Sequence, residues 1–206
     1  MATDFELLSA WSAGDAAAGN ALFERHFAPL YRFFRNKVAD GVDDLVQQTL
    51  LACVEGRVRF RQDSSFRTYM LAAARNILIR HCERKRRDAA IDLDEVSAHD
   101  LGTSPSSLLV RRAEERLVLE ALRRIPLDDQ IALELYYWEG LSGSELGRVL
   151  EIPEAAARSR VRRGMERLRD RLGAIAATPA ELASTTSDLD RWARSLKHQL
   201  DAPESA

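Results

Sequence analysis

Apolar positions recur at helical spacing through most of this chain. Residues 1–14 form a weak helical lead-in. From Ala16 to Val38, AAAGNALFERHFAPLYRFFRNKV predicts a helix with Leu22, Phe23, Phe27, Leu30, Tyr31 and Phe34 as its core side. Pro29 is expected to bend or divide that helix. Asp40-Gly41 marks a turn. The next helix, Val42 to about Glu55, has two unlike faces: Val42, Leu45, Val46, Thr49 and Cys53 on one, Asp44, Gln47, Gln48, Leu51 and Glu55 on the other. A Leu among acids and amides fits either a small docking surface or a solvated face with one stray apolar residue.

Gly56 to Ser65 is a polar, basic loop, followed by a long helix from Phe66 to about Arg87. Phe66, Met70, Ala74, Ile77, Leu78 and His81 are its expected buried side. The outward arc holds Tyr69, Ala72, Asn76, Ile79, Arg80, Glu83 and Arg87, a mix of flat and basic side chains of the kind that suits single-stranded nucleic acid. Periodicity then lapses from Asp88 to Ser107, which reads as a flexible linker. It resumes near Leu108, with Leu117, Leu119, Leu122 and Ile125 before Pro126, then Ile131, Leu133, Leu135 and Trp138.

The segment Leu141–Leu172 reads as a short helix, a tight turn and a longer basic helix. Ser142 and Glu145 have the spacing of a capping box, and Pro153 breaks the first helix and suits the start of the second. Ala157, Val161, Met165, Leu168 and Leu172 share one arc of that second helix. The opposite arc carries Arg158, Ser159, Arg162, Arg163, Glu166 and Arg169. An apolar back with an arginine-rich front suits a recognition helix in a major groove. Which arginine meets a base and which a phosphate stays open at this level.

Charge sharpens this picture. The formal net charge is −2, but residues 57–87 hold ten basic residues against two acidic ones, and residues 155–169 hold six against one. Residues 88–110 between them hold five acids and no Lys or Arg. Two basic surfaces flank an acidic connector, which points to nucleic acid. With 46% hydrophobic residues among 206 the chain can bury real cores. It has no apolar run of membrane-spanning length and no basic leader at its N-terminus. Cys53 and Cys82 lack metal-ligand spacing and suit a reducing compartment. Neither a phosphate-binding glycine loop nor a nucleophile elbow is present, so catalysis, metal and cofactor are not expected.

Four segments in this order, DDLVQQT, SSFRTYMLAAARNILIRHCERKRR, RRIPLDDQIALELYYWEGLS and IPEAAARSRVRRGMERLR, resemble bacterial RNA polymerase sigma factors of the extracytoplasmic-function type. The resemblance covers roughly residues 15–172 and departs from the family's usual pattern at Gln48, Cys53 and Ala155 to Ala157. It implies an all-α protein of two small helical domains joined by a flexible acidic linker, the second containing a helix-turn-helix. The expected bounds are 10–87 for a region 2-like domain, 88–107 for the linker, 108–172 for a region 4-like domain and 173–206 for a C-terminal extension.

By position, the resemblance implies that Asp44, Gln47, Gln48 and Leu51 dock on core RNA polymerase. Arg61, Gln62, Asp63, Ser64, Tyr69, Asn76 and Arg80 would engage and open the −10 promoter element. Arg158, Ser159, Arg160, Arg162 and Arg163 would read the −35 element. The implied partners are core polymerase, promoter DNA and an anti-sigma factor, in the cytoplasm. An ordinary helix-turn-helix regulator and a sigma-like adaptor that does not melt DNA are the alternative readings. In the extension, Leu189, Trp192, Ala193, Leu196 and Leu200 predict an amphipathic helix from about Ser187 that docks within the chain, with a modest autoinhibitory effect.

Overall fold

The computed structural model describes residues 2–56, 64–85, 95–100 and 113–176, with positions 178 and 183. Its elements are all helices: α1 Asp4–Ser12, α2 Ala16–Arg35, α3 Val42–Gly56, α4 Phe66–Lys85, α5 Ala113–Arg123, α6 Leu127–Tyr137, α7 Gly143–Leu150 and α8 Glu154–Ile175. The amphipathic segment around Trp192 and the loop positions Arg61, Gln62 and Asp63 lie outside the described residues.

Local chemistry sets the helix starts. Thr3 and Glu6 close a capping box on α1, a T-x-x-E signal that makes the lead-in a firm helix burying Leu8 and Trp11. Asp15 caps α2 by accepting from the Ala17 and Ala18 amides at 2.9 and 3.1 Å. Ser65 accepts from the Thr68 amide at 3.2 Å at the start of α4. Pro29 sits inside α2 without dividing it.

The first half packs α1 to α4 around Leu22, Leu30, Phe34, Leu45, Phe66, Met70 and Leu78. Phe27 is not part of that core: it is 46% exposed and stacks on the half-buried Tyr31 at 5.9 Å. Phe33, six residues on and on another side, is buried instead. The reason is that α2 is covered on two sides. Its C-terminal turn faces the second half of the chain through Arg32, Asn36 and Lys37, all buried.

The second half has two buried centres. One, around Leu117, Leu119, Leu122, Ile125, Leu168 and Leu172, holds α5 and α8 together. The other, with Ile131, Leu135, Leu146, Val149, Leu150 and Ala157, runs without a break into the core of the first half. Helix α4 is therefore buried on more sides than its apolar pattern announces. Thr68, Leu71 and Arg75 lie buried along with the expected Met70, Ala74, Ile77 and Leu78.

Part of the acidic connector is anchored. The Leu127 amide donates to the Val96 carbonyl at 2.8 Å and the His99 amide to the Arg123 carbonyl at 2.9 Å. Val96 and Ala98 are buried in the process. Asp100 accepts from the Ser97 amide at 3.0 Å, which closes this short turn.

Candidate polymerase and promoter interface

Helix α7, the turn and α8 form a helix-turn-helix. Ser142 caps α7: its Oγ accepts from the Glu145 amide at 3.3 Å while the Glu145 carboxylate accepts from the Ser142 amide at 2.9 Å. The Ser142 side chain and amide hold the Glu145 carboxyl below its ordinary value. The turn needs two backbone concessions. Glu151 ends α7 in the left-handed region at φ 58, where only glycine sits without penalty. Gly147 lets the turn close, since a β-carbon there would lie 2.7 Å from the Ile152 carbonyl oxygen. The Ile152 amide then returns to the Gly147 carbonyl at 2.9 Å.

On α8, Arg158, Arg162 and Arg163 are exposed and Ser159 is half-buried. Arg158 pairs with Glu154 one turn back. Arg160 faces the other way: it is 9% exposed and pairs with Asp128 of α6 at 3.2 Å. The buried side of α8 is Ala157, Arg160, Gly164, Leu168 and Leu172, rotated from the expected arc. Gly164 makes room, because a β-carbon there would come within 3.3 Å of Asp129 and Leu133. Close approach of α6 to α8 thus draws Arg160 inward. A groove of about 430 Å³ lies beside the exposed face, between Tyr136, Met165 and Arg169.

On α3, Asp44 and Gln47 are exposed, Leu51 is 57% exposed, and Gln48 is half-buried. Gln48 donates to Asp44 at 2.6 Å, which orders the face. Leu45, Val46, Thr49 and Cys53 occupy the opposite side and are buried. Leu51 borders a shallow groove of about 470 Å³ between α3 and α4, with Gln48, Glu55, Arg80 and Arg84 on its walls. Burial pushes the thiols of Cys53 and Cys82 up to about 12 and about 11, so both stay protonated at neutral pH.

The −10 candidates on α4 are brought to one side but are not all open. Tyr69 is half-buried, tilted against Phe66 at 6.4 Å, and its hydroxyl lies where a Gly56 side chain would stand. Asn76 donates to Glu151 of the helix-turn-helix at 3.4 Å. Arg80 is exposed and its Nε donates to the Asn76 carbonyl at 3.3 Å. Ser64 is half-buried next to the cap residue Ser65.

Charged residues that sequence reading left unassigned fill the seam between the halves. Arg75 grips Asp128 through Nε and a terminal nitrogen at 3.1 and 3.0 Å. Arg32 donates from Nε to Glu139 at 2.8 Å, and Arg67 reaches the other oxygen of the same carboxylate. Lys37 pairs with Glu134. Asn36 donates to Glu134 at 2.7 Å and accepts from Arg123 at 2.8 Å. The one signal in the sequence was the acidic pattern of LDDQIALELYYWEG, whose acids alternate with core residues instead of occupying one solvated face.

Among the described residues no helix is long and apolar enough to cross a membrane. Residues 22–88 match the family model described as Sigma-70 region 2, and residues 115–168 match the one described as Sigma-70, region 4. The chain is 27% identical over 174 residues to the ECF RNA polymerase sigma factor SigM of Mycobacterium tuberculosis, covering 83% of this chain and 85% of the relative. It is 26% identical over 177 residues to the ECF RNA polymerase sigma-E factor of Escherichia coli, covering 80% and 91%. Its fold resembles CnrH, solved in complex with the cytosolic domain of CnrY, with a TM-score of 0.61 at 22% identity over 84% of this chain and 99% of that one. The two family matches fall on the two halves that the helices build, in the same order. The chain is a sigma factor of the extracytoplasmic-function type, with region 2 and region 4 domains and a role in transcription initiation.

Proposed function

We propose that the protein binds core RNA polymerase through the α3 face and directs it to promoters, with α8 reading the −35 element and α4 opening the −10 element. The observation that carries this is the outward set of Arg158, Arg162 and Arg163 on the second helix of a capped helix-turn-helix. Such a face presents bidentate donors to guanine edges and point charges to phosphates. The exposed Asp44, Gln47 and Leu51 give a small mixed polar and apolar patch with Gln48 at its edge, suited to docking on helices of the polymerase clamp. Arg61, Gln62, Asp63 and Ser64 lead into α4, and with Tyr69, Asn76 and Arg80 they hold bases released from the stack. Unstacking costs a few kcal/mol for each base, so these contacts must be made with the extruded base and not the duplex. Arg160 joins the −35 set once Asp128 releases it.

The partners are core polymerase and promoter DNA in the cytoplasm. An anti-sigma factor is the proposed inhibitor; CnrH, whose fold is similar, was solved in complex with the cytosolic domain of CnrY. Reconstituted transcription with core polymerase on genomic fragments tests the reading, with permanganate footprinting across each start site. Specific starts with reactive thymines near −10 are expected. Duplex binding without polymerase, start sites or melting would make the protein an ordinary helix-turn-helix regulator.

A further inference from the structure

Tyr136, Tyr137 and Met165 have no part in the −35 reading, yet with Leu146 and Val161 they line the groove of about 430 Å³ beside α8. Tyr136 is 44% exposed, and its ring meets that of Tyr137 edge-on at 5.0 Å. The same groove is lined by Arg158, Arg162 and Arg169, all exposed. Gly143 leaves the room in which Arg158 lies, since a β-carbon there would stand 2.8 Å from its Nε. An apolar groove with a cationic rim fits an amphipathic helix that carries carboxylates along one flank.

The chain has such a segment beyond α8. Leu189, Trp192, Ala193, Leu196 and Leu200 are spaced to share one side of a helix. Asp190 and Asp201, 11 residues apart, fall together on one flank of that stripe. Arg158 and Arg169 are also 11 residues apart, so each pair spans about 16 Å of helix axis at ~1.5 Å per residue. An antiparallel alignment therefore sets Asp190 on Arg169 and Asp201 on Arg158 at once, with Trp192 and Leu196 between them alongside Met165. Arg158 already pairs with Glu154, but the five donors of a guanidinium serve a second carboxylate. Lys197 lies on the acidic flank, within a turn of Glu166 in the groove's lining, while Arg191 and Arg194 fall on the far side of the stripe.

Reach permits this return. Helix α8 ends at Ile175, and Arg169 is six residues, or about 9 Å, back along its axis. The 11 residues 176–186 span up to roughly 36–40 Å at ~3.3–3.6 Å each. A helix as short as the stripe is marginal in water by itself, so its apolar side needs a surface.

Resting on the sigma reading above, we propose that the segment Ser187–Asp201 of this same chain seats Leu189, Trp192 and Leu196 in the groove between Tyr136 and Met165 and so covers Arg158 and Arg162. The tail and the −35 element then compete for one surface, and the chain withholds that surface until DNA displaces its own tail.

The test begins with the free, full-length chain. Trp11 and Trp138 are buried, so the difference in emission between the parent and Trp192→Phe isolates Trp192. Its emission should be blue-shifted, and its quenching by acrylamide severalfold slower than in the urea-unfolded chain. Asp190→Arg and Arg169→Asp should each raise that quenching. The two combined should restore protection, with helicity by circular dichroism kept throughout. Quenching equal to that of the unfolded chain overturns the docking. Protection indifferent to the charge changes places the tail elsewhere and overturns the groove. Protection lost on dilution assigns the groove to the tail of a second copy and overturns the intramolecular form. The second measurement is affinity for a duplex carrying the −35 region of a promoter mapped by reconstituted transcription. Trp192→Ser combined with Leu196→Ser should tighten it about three- to tenfold, because the covered state no longer withholds the competent fraction. Unchanged affinity in that variant overturns the covering of Arg158 and Arg162. Binding of the duplex by neither chain counts against the −35 assignment and is read separately from the quenching, which decides the docking.

Discussion

The ammonium of Lys37 donates to the Glu134 carboxylate across the seam between region 2 and region 4, with side chains 0% and 3% exposed. The same nitrogen donates to the Phe33 carbonyl at 2.7 Å and sits over the Phe33 ring at 4.3 Å. Burial pushes the lysine below its ordinary value, while Glu134 pulls it back up. Neither group is tolerable here without the other. Lys37→Met alone and Glu134→Gln alone should each cost about 3–5 kcal/mol of stability, since each leaves a buried charge uncompensated. The double variant should cost clearly less than the sum. Denaturant titration of the four proteins checks this, and simple additivity would place the pair elsewhere than in a shared buried site.

Three arginines on one helix should behave in two ways. Arg158→Ala and Arg162→Ala remove exposed groups and should change stability by no more than about 0.5 kcal/mol. Each should weaken −35 binding by about 1–3 kcal/mol if it reads a base, with specificity relaxed at one position. Arg160→Ala instead breaks the pair with Asp128 and should lower thermal stability first. Equal melting temperatures for all three variants would contradict the inward placement of Arg160.

The docking face admits a sharp loss-of-binding test. Asp44→Arg with Leu51→Asp should abolish affinity for core polymerase in a pull-down while leaving helicity intact, because both side chains point to solvent. Retained affinity would remove α3 from the interface.

The helix-turn-helix turn makes two predictions of opposite sign. Gly147→Ala should destabilise by about 1–3 kcal/mol, as an overpacked site does, because the new methyl meets the Ile152 carbonyl, which is backbone and cannot step aside. Glu151→Gly should be neutral or stabilising, relieving a left-handed residue that costs about 1–2 kcal/mol. Thermal melts of both variants decide it.

Acid should loosen the same motif. The Glu145 carboxyl sits below its ordinary value through its bonds to Ser142. Its contribution is therefore complete above the ordinary glutamate range and is lost as pH falls through the lowered value. Ser142→Ala should cost about 0.5–2 kcal/mol near neutral pH, and the gap between variant and parent should narrow in acid. A constant gap down to full protonation would show that the carboxylate takes no part in the cap.

Much of this protein is written in local pattern. The Ser142–Glu145 box, the break at Pro153 and the apolar arc of α3 depend on neighbours within one or two turns, so spacing alone announces them. Leu51 stands exposed as its polar neighbours foretell. Phe27 and Thr68 were not legible in that way. An aromatic at helical spacing packs inward only if a second element covers that side, and among the described residues none covers Phe27. Thr68, Leu71 and Arg75 are buried because the other half of the chain lies against α4, a relation between residues more than fifty positions apart. Arg160 shows the same limit: the resemblance sets it among the promoter-reading residues, but Gly164 lets α6 approach and Asp128 draws it inward. Periodicity and capping are short-range and survive in the sequence by themselves. Which charge is paired, and which face is covered, depends on how two amphipathic halves meet, and only the tertiary structure decides that.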